Sequence, residues 1–343
     1  GRWQDSVAVV TGGASGIGFA IASRAIIEGC SVVIADINQA ALDKAAADLI
    51  ALRAGAQVLT VVADVSKHED ICGLRQKTVE RFGTCHLLFN NAGTGGPSTL
   101  IGSDDAGDKK EELAKLEKFF GINLVSVAYG VHEFFPLMKA NGAPCRIVNT
   151  ASVAGIASGG GPYGVTKHAV VAYSEGMQDE LKLREVKNVR VSALCPGFVA
   201  TNILKTNDEM FPSADKSDKA QQRRDFITKM VSSGIPASEC ADVVFRDISL
   251  DSPPLYIYSD PALSRAAARD HADDLCNQRK GAPKRMGLLF MGRLVPTLGA
   301  EYATKVIAQM WPGREAPKSS GGSAKIIFAV ATIGAAAWFW SKR

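Results

Sequence analysis

The chain lacks the residue patterns that usually mark metal sites and disulfide frameworks. Its seven cysteines are scattered and include no C-x-x-C pair, and its five histidines do not cluster along the sequence. The spacing therefore indicates neither a zinc site nor a set of disulfide bonds. Reduced thiols in an intracellular compartment are the simpler interpretation, and no metal is expected to take part in the function.

An excess of charge of one sign is also missing. The 39 basic and 35 acidic side chains leave a formal net charge of +4, which is too small to indicate a nucleic-acid partner. No signal-peptide pattern opens the chain at Gly1. With 46% apolar and 22% charged residues, the composition is that of an ordinary globular protein. A length of 343 residues suits one large domain with an extension.

Short apolar runs alternate with helical patterns through most of the chain. The runs are rich in valine and isoleucine and show no polar face, as is typical of strands buried on both sides. This alternation predicts an α/β fold, with a parallel sheet covered by helices on both faces. The predicted strands are 7–11, 32–35, 58–62, 87–89, 146–149 and 189–193, and the predicted helices are 16–28, 40–53, 67–82, 111–139, 163–184, 238–249 and 261–279.

A glycine-rich segment, 11–18, follows the first predicted strand and opens the first predicted helix. It reads Thr-Gly-Gly-Ala-Ser-Gly-Ile-Gly. Glycine has no Cβ, so the backbone there can approach a ligand closely, and the free N–H groups of a helix N-terminus favour a pyrophosphate. The alternative is a tight strand-to-helix turn without a ligand. The context predicts a dinucleotide site at Gly12, Ser15, Gly16, Ile17 and Gly18.

Asp36 ends the second predicted strand, 18 residues after Gly18. A carboxylate at that place can accept hydrogen bonds from both hydroxyls of the adenosine ribose, and it would repel a 2′-phosphate. No arginine or lysine lies in the glycine loop or directly after Asp36. The sequence therefore predicts NAD in preference to NADP.

Tyr163 and Lys167 are four residues apart in a predicted helix. That spacing places both side chains on one face, where the lysine charge should stabilise the ionised phenol and lower its pKa. The pair alone is weak evidence, because the same spacing is common on surface helices. With the glycine loop, it predicts that Tyr163 donates and accepts the proton when an alcohol and a ketone interconvert.

Further motifs follow the later strands in a recognisable order. They are Asp64-Val65, Asn90-Asn91-Ala92-Gly93, Asn123, Ser152, and Pro196-Gly197 with Thr201. Together with the glycine loop and the tyrosine–lysine pair, they resemble the short-chain dehydrogenase/reductase family, in its T-G-x-x-x-G-x-G and Y-x-x-x-K branch, over roughly residues 5–201. The resemblance implies a Rossmann-type doubly wound parallel sheet and a single catalytic domain with a C-terminal extension.

The resemblance also implies roles for individual residues. Asp64 and Val65 would contact the adenine ring, and the segment that contains Asn91, Ala92 and Gly93 would border the cofactor. The segment of Pro196, Gly197 and Thr201 would hold the carboxamide end of nicotinamide.

Four residues form the predicted catalytic group: Asn123, Ser152, Tyr163 and Lys167. Ser152 would donate to the substrate oxygen, and Lys167 would lower the pKa of Tyr163 and bond the nicotinamide ribose. Asn123 would hold a water that links Lys167 to solvent, as the resemblance suggests. Singly, these residues have structural alternatives, namely a helix cap, a surface charge and a buried polar plug.

The C-terminal third divides into segments of different character. The domain prediction is a catalytic domain at 1–279 with a substrate lid at about 202–236, a C-terminal extension at 280–315, a flexible linker at 316–325 and a hydrophobic tail at 326–343. The run 326–340 carries no charge and ends in tryptophans and basic residues, which favour a membrane interface. It would anchor the protein on the cytoplasmic face of a membrane. The alternative is a cytoplasmic protein whose tail packs on its own domain or on a partner.

The predicted function is that of an NAD-dependent oxidoreductase, which interconverts a secondary alcohol and a ketone, or a primary alcohol and an aldehyde, by hydride transfer. A small apolar alcohol or ketone is expected as substrate, with Met210, Phe211 and Phe226 as apolar contacts. The resemblance also implies a homo-oligomer formed through the long helices 111–139 and 163–184. Two alternatives are a non-catalytic, membrane-tethered protein that binds a dinucleotide or a partner, and a sugar-nucleotide epimerase. The epimerase is disfavoured because its glycine loop normally reads G-x-x-G-x-x-G.

Overall fold

Strands and helices alternate along the chain, as the sequence predicts. A computed structural model describes residues 2–97, 99–102, 109–157, 161–211 and 217–259. The strands are β1 (Val7–Thr11), β2 (Ser31–Asp36), β3 (Val58–Val62), β4 (Leu87–Asn90), β5 (Cys145–Thr150), β6 (Val189–Leu194), β7 (Val199–Ala200), β8 (Ile235–Pro236) and β9 (Tyr256–Ile257). The helices are α1 (Gly16–Glu28), α2 (Gln39–Ala51), α3 (His68–Phe82), α4 (Lys109–Phe120), α5 (Ser126–Asn141), α6 (Gly161–Leu183), α7 (Ile203–Met210), α8 (Asp218–Ser232) and α9 (Ala237–Ile248).

Seven parallel strands form the main sheet, in the order β3-β2-β1-β4-β5-β6-β9. The order reverses at β1, which pairs with β2 on one side and with β4 on the other. Ligands of open α/β sheets bind at such a switch point, at the carboxyl ends of the strands. The glycine loop that follows β1 and the Asn90–Gly93 segment at the end of β4 therefore meet at one edge of the sheet. The doubly wound fold predicted from the sequence is confirmed.

Buried apolar side chains cover both faces of this sheet. Val10 and Val32 pack into one cluster with α1, α2 and α9, whereas Val9 and Val33 pack into a second cluster with α3, α5 and α6. Successive residues of a strand point to opposite faces, so strands covered on both sides read as the unbroken apolar runs seen in the sequence.

The single helix predicted at 111–139 is instead three segments. A π-helical turn, Gly121–Val125, separates α4 from α5. Such turns are often found at functional sites, and this one carries Asn123, which is 1% exposed. Helix periodicity in the sequence does not distinguish a π turn from an α turn, because the apolar pattern continues on either side.

The segment after Thr201 has more regular structure than the sequence suggests. It contains α7, α8 and the short strand β8, which pairs with β7. The predicted helix 261–279, the extension 280–315, the linker 316–325 and the tail 326–343 lie outside the described residues. Among the helices that the structure describes, none is both long and apolar enough to cross a membrane.

Candidate active site

The glycine loop folds tightly against the segment that follows β4. Gly12 has φ +63°, and a Cβ there would lie 2.9 Å from the Ala92 Cα. A Cβ on Gly18 would lie 2.1 Å from the Gly12 carbonyl oxygen. Thr11 connects the two segments, because its Oγ1 accepts the N–H groups of Asn91 at 3.0 Å and Ala92 at 3.1 Å. These contacts leave no room for larger residues and fix the loop at the switch point.

The first turn of α1 opens at this loop with its N–H groups directed out of the helix. Ser15 is the N-cap in extended conformation, and its side chain makes no capping hydrogen bond. The first N–H groups of a helix have no partner within the helix, so those that follow Ser15 can receive an anion. Ile17 packs its side chain against the core, and a Cβ on Gly16 would lie 3.1 Å from the Thr201 Cγ2. The structure thus brings Thr201 to the glycine loop, and the predicted contact of its segment with nicotinamide stays a prediction.

Asp36 lies at the end of β2 beside the same loop. Its carboxylate accepts the Ala14 N–H at 3.4 Å and the Asn38 N–H at 3.2 Å. These bonds hold the carboxylate at the edge of the sheet, where a ribose at the loop would reach it. The predicted place of Asp36 at the end of the second strand is confirmed, and its contact with a ribose stays a prediction.

Asp64 and Val65 follow β3, and their side chains are already engaged. The Asp64 carboxylate accepts the Ser66 N–H at 3.0 Å and the Ser66 hydroxyl at 2.6 Å. The Asp64 N–H donates to Asp70 at 2.8 Å, and Val65 is 7% exposed within the core. The turn is therefore well ordered, and any contact of Val65 with an adenine ring would come from its backbone.

Asn91 joins the ends of three strands. Its Nδ2 donates to the carbonyl oxygens of Thr11 at 3.1 Å and Gly12 at 3.4 Å, and its Oδ1 accepts the Thr150 hydroxyl at 3.4 Å. A Cβ on Gly93 would lie 3.4 Å from Asn123 Oδ1 and 3.5 Å from Lys167 Nζ. The Asn91–Gly93 segment therefore connects the glycine loop with the predicted catalytic group.

The Asn123 side chain anchors the loop after β4. Its Oδ1 accepts the Thr94 N–H at 2.8 Å, and its Nδ2 donates to the Thr94 carbonyl at 2.8 Å and to Thr166 Oγ1 at 3.2 Å. Both amide hydrogens are thus used within the protein. A water between Lys167 and solvent would have to bind to Oδ1 or to the main-chain carbonyl of Asn123.

Ser152 and Tyr163 are hydrogen bonded to each other. Ser152 lies just after β5, where its Oγ also accepts the Ala154 N–H at 3.1 Å and caps a short 3₁₀ turn. Ser152 therefore does act as a helix cap, and it contacts Tyr163 at the same time. The structure brings these two residues together as the sequence predicts.

Lys167 is buried beneath the tyrosine. Its Nζ lies 5.7 Å from the centre of the Tyr163 ring and donates to the Thr150 carbonyl at 2.8 Å. Burial lowers the pKa of Lys167 to about 8. A buried ammonium is costly unless it is hydrogen bonded, so the Thr150 carbonyl holds the charge in place.

The prediction that Lys167 lowers the pKa of Tyr163 is wrong for this arrangement. Burial raises the pKa of Tyr163 above its ordinary value, and the opposing effect comes from the hydrogen bond with Ser152. Desolvation disfavours the charged phenolate, and the Lys167 ammonium lies over the ring, 5.7 Å from its centre. The phenol is therefore protonated at neutral pH.

Buried Lys167 should make stability depend on alkaline pH. Above about pH 8 the folded chain releases this proton, whereas the unfolded chain keeps it until about 10.5. The unfolded state then binds more protons, so the free energy of unfolding should rise between these pH values. Urea unfolding at several pH values would show a smaller rise for Lys167→Met than for the wild type. Lys182→Met, on the exposed end of the same helix, is the control, and equal slopes for Lys167→Met and the wild type would contradict the expectation.

Pro196 and Gly197 lie next to Ser152 across the sheet edge. The Val153 N–H donates to the Pro196 carbonyl at 2.8 Å. The preceding residue, Cys195, also interacts with Lys167 and with the Ser152 backbone. Sequence reasoning did not select Cys195, nor the threonines at 11, 94, 150 and 166 that hold the site by hydrogen bonds. Of these residues, only Thr11 could have been selected from the sequence, because it is the first residue of the glycine-rich segment.

The apolar contacts predicted for the substrate are partly wrong. Phe211 is 4% exposed and packs edge-to-face on Phe119 with ring centres 6.0 Å apart. It therefore belongs to the core rather than to an open binding surface. Met210 packs against the same cluster, and Phe226 is half-buried. Burial of Phe211 follows from its contact with Phe119 of α4, which residue type alone does not reveal.

α7 instead presents a polar residue to the edge of the site. Asn207 Oδ1 accepts the Thr94 hydroxyl at 3.3 Å, and a Cβ on Gly95 would lie 3.1 Å from Asn207. Gly96 has φ +80°, and a Cβ there would lie 2.3 Å from the Phe119 ring. The loop 93–97 is therefore confined between α7 and Phe119.

Comparison with known proteins agrees with this geometry. The family model for short chain dehydrogenases matches residues 6–211. A CLA biosynthesis dehydrogenase/reductase of Lactiplantibacillus plantarum is 30% identical over 268 residues, which is 76% of this chain and 89% of that protein. A cyclohexanol dehydrogenase of Acinetobacter sp. (strain SE19) is 30% identical over 220 residues, covering 61% of this chain and 78% of that protein.

Solved structures agree as well. A short-chain dehydrogenase/reductase from Burkholderia phymatum, crystallised in complex with NAD, superposes with a TM-score of 0.71 and 33% identity, covering 81% of this chain and 96% of that one. The shared sheet order, the glycine loop at the switch point and the matched sequence lead to one conclusion. The chain belongs to the short-chain dehydrogenase/reductase family.

Proposed function

We propose that the chain is an oxidoreductase that interconverts an alcohol and a ketone with a nicotinamide dinucleotide. The observation that carries the proposal is the meeting of Ser152, Tyr163 and Lys167 at the sheet edge that also holds the glycine loop. A protonated phenol with an adjacent hydroxyl is suited to give a proton to a substrate oxygen. The proposed catalytic residues are Asn123, Ser152, Tyr163 and Lys167.

The residues at the loop fit a dinucleotide. The backbone at Gly12 and Gly18 is too close to its neighbours for a Cβ, and the α1 N-terminus is not capped by the Ser15 side chain. A pyrophosphate would bind the N–H groups of the first turn of α1, and Asp36 would bind the adenosine ribose. The further residues proposed to hold the cofactor are Asp64, Val65, Asn91, Ala92, Gly93, Tyr163, Lys167, Pro196, Gly197 and Thr201.

The protein supplies proton transfer and placement. When bound, the dinucleotide donates or accepts the hydride at the substrate carbon. In the reductive direction, Tyr163 gives the phenolic proton to the carbonyl oxygen as the new C–H bond forms, and the product is the alcohol. The Ser152 hydroxyl would hold that oxygen and stabilise the phenolate left on Tyr163, and Lys167 would bond the nicotinamide ribose. With its pKa raised, Tyr163 carries at neutral pH the proton that the reductive direction requires.

Asp36 is proposed to select NAD. Asp36→Ala should weaken NAD binding and relax discrimination against NADP, because the carboxylate both binds the ribose hydroxyls and repels a 2′-phosphate. Calorimetric titration with each cofactor measures both effects. Asp43→Ala, which removes a carboxylate from the exposed side of α2, is the matched control. Tighter NAD binding by Asp36→Ala, or an unchanged ratio of NAD to NADP affinity, would contradict the assignment.

The proposed substrate is a small, apolar secondary alcohol or its ketone. A relative at 30% identity is named a cyclohexanol dehydrogenase, which acts on a cyclic secondary alcohol. The test is nicotinamide absorbance over a panel of cyclic and open-chain alcohols and ketones with each dinucleotide. Turnover of at least one member supports the proposal. Tight dinucleotide binding without turnover of any member would favour the non-catalytic alternative instead.

Assembly and location stand as separate parts of the proposal. We infer a homo-oligomer formed through the helical segments within 111–139 and through α6 (Gly161–Leu183), and membrane association through 326–340. The latter rests on the uncharged run and the tryptophans near its end. The predicted boundaries at 279, 315 and 325 likewise remain proposals.

A further inference from the structure

A histidine, a cysteine and a glutamate meet on the surface between α3 and α5. His68 and Cys72 lie one turn apart on α3, and Glu133 reaches them from α5. Their ligating atoms all lie within 4.8 Å of one another. Of the six cysteines that the structure describes, five are buried and only Cys72 is partly exposed. None of the three residues belongs to the proposed active site.

We propose that His68, Cys72 and Glu133 bind a divalent metal ion of the zinc type. These three side chains offer nitrogen, sulfur and oxygen, a donor set that Zn²⁺ prefers and Mg²⁺ or Ca²⁺ does not. The three ligands leave a fourth tetrahedral position for a water molecule. A thiolate, a carboxylate and a neutral imidazole carry two negative charges, which balance the ion.

The distances fit tetrahedral coordination. Bonds of about 2.0 Å to nitrogen or oxygen and about 2.3 Å to sulfur place nitrogen and sulfur about 3.5 Å apart, and nitrogen and oxygen about 3.3 Å apart. Cys72 Sγ lies 3.6 Å from His68 Nε2, and Glu133 Oε1 lies 2.9 Å from the same nitrogen. A small opening of the glutamate–histidine contact would therefore admit the ion without moving either helix.

Neighbouring residues hold the ligands in orientation. Arg75 Nε donates to Glu133 Oε2 at 3.0 Å, which leaves Oε1 directed at His68. The His68 ring packs on Tyr129 with ring centres 4.9 Å apart. Ligating carboxylates and imidazoles in metal sites are commonly fixed by such outer contacts. The bound ion would join the start of α3 to α5, two elements that otherwise meet through side-chain packing and the Arg75 ion pair.

Sequence reasoning expected no metal site, and the separation of the ligands explains why. Two of them form a His-x-x-x-Cys pair, which is weak by itself, and the third is 61 residues further along the chain. Only the packing of α3 on α5 brings Glu133 to the pair.

Cobalt binding tests the proposal directly, because tetrahedral Co²⁺ with a thiolate ligand gives visible ligand-field bands and a near-ultraviolet charge-transfer band. The full-length protein should carry Cys276→Ser, because Cys276 is the one cysteine outside the described residues and its thiol would be a second source of a cobalt–thiolate band. That protein should bind one Co²⁺ with both features, and Zn²⁺ should displace it and raise Tm. Loss of an outer contact in a metal site already costs about 10- to 100-fold in affinity. Cys72→Ser and Glu133→Gln should each therefore weaken binding more than about tenfold, and Cys72→Ser should abolish the charge-transfer band.

His132→Gln is the matched control, since His132 is exposed and adjacent to Glu133 in sequence but lies outside the cluster. It should bind Co²⁺ as the parent does. Absence of a stoichiometric cobalt spectrum from the folded parent protein would overturn the proposal. So would a Cys72→Ser variant with an unchanged spectrum and affinity. Far-ultraviolet circular dichroism of each variant separates loss of binding from loss of folding.

Discussion

Tyr163→Phe should lower kcat by about 10²- to 10⁴-fold, the usual contribution of a positioned proton donor. The phenylalanine keeps the ring that packs over Lys167 and removes only the hydroxyl that is hydrogen bonded to Ser152. The fold should therefore be retained. The cofactor dissociation constant should change much less than kcat, because the other residues proposed to hold the dinucleotide are unchanged. Steady-state turnover of the best panel substrate, together with calorimetric titration of the dinucleotide, measures both quantities.

Tyr173→Phe is the matched control for this experiment. Tyr173 lies ten residues further along α6, is half-buried, and also has a pKa raised by burial, but it is remote from Ser152. Its loss should leave kcat near the wild-type value. Turnover by Tyr163→Phe equal to that of Tyr173→Phe would remove Tyr163 from the mechanism, whatever the substrate.

Gly18→Ala should disrupt the dinucleotide site more than any other single methyl group added to the loop. The new Cβ would lie 2.1 Å from the Gly12 carbonyl oxygen and 2.5 Å from Asn91 Nδ2. The oxygen is backbone and cannot move alone, so the loop must shift. Overpacking of this kind costs about 1–3 kcal/mol of unfolding free energy, and a displacement of about 1 Å in the site can cost about 100-fold in kcat/KM.

Gly176→Ala separates this clash from the general effect of replacing a helical glycine. Gly176 also lies within a helix, but a Cβ there would meet nothing within 4 Å. Alanine should raise the unfolding free energy by up to about 1 kcal/mol and leave kinetics unchanged, because it favours the helix. Urea unfolding and kcat/KM of both variants decide the matter. A Gly18→Ala protein with wild-type stability and kcat/KM would contradict the expected clash, because it would show that the loop accommodates the added methyl group.

The strands and the cofactor loop could be predicted because their signals are local. Each of the six predicted strands is found within two residues of its expected ends, since a strand buried on both faces needs an unbroken apolar run. The glycines at 12 and 18 are required by contacts with residues that the same motif set contains, notably Asn91 and Ala92.

Electrostatic and packing properties were less predictable. The direction of the Tyr163 pKa shift is opposite to the prediction, because burial raises the pKa more than the hydrogen bond with Ser152 lowers it. Phe211 looked available for a substrate but is enclosed by Phe119. In both cases the outcome depends on which groups surround the side chain, and these come from distant parts of the chain.

The amino-acid sequence by itself determined the sheet, the glycine turn and the identity of the tyrosine, serine and lysine of the site. These follow from residue type and short spacing, which act over one strand or one helical turn. Only the tertiary structure decided that Asn123 anchors Thr94 from a π turn, that Tyr163 is held protonated, and that Glu133 reaches His68 and Cys72. Those features depend on the packing of separate elements. A short sequence pattern does not show which distant elements come into contact or which side chains they shield from solvent.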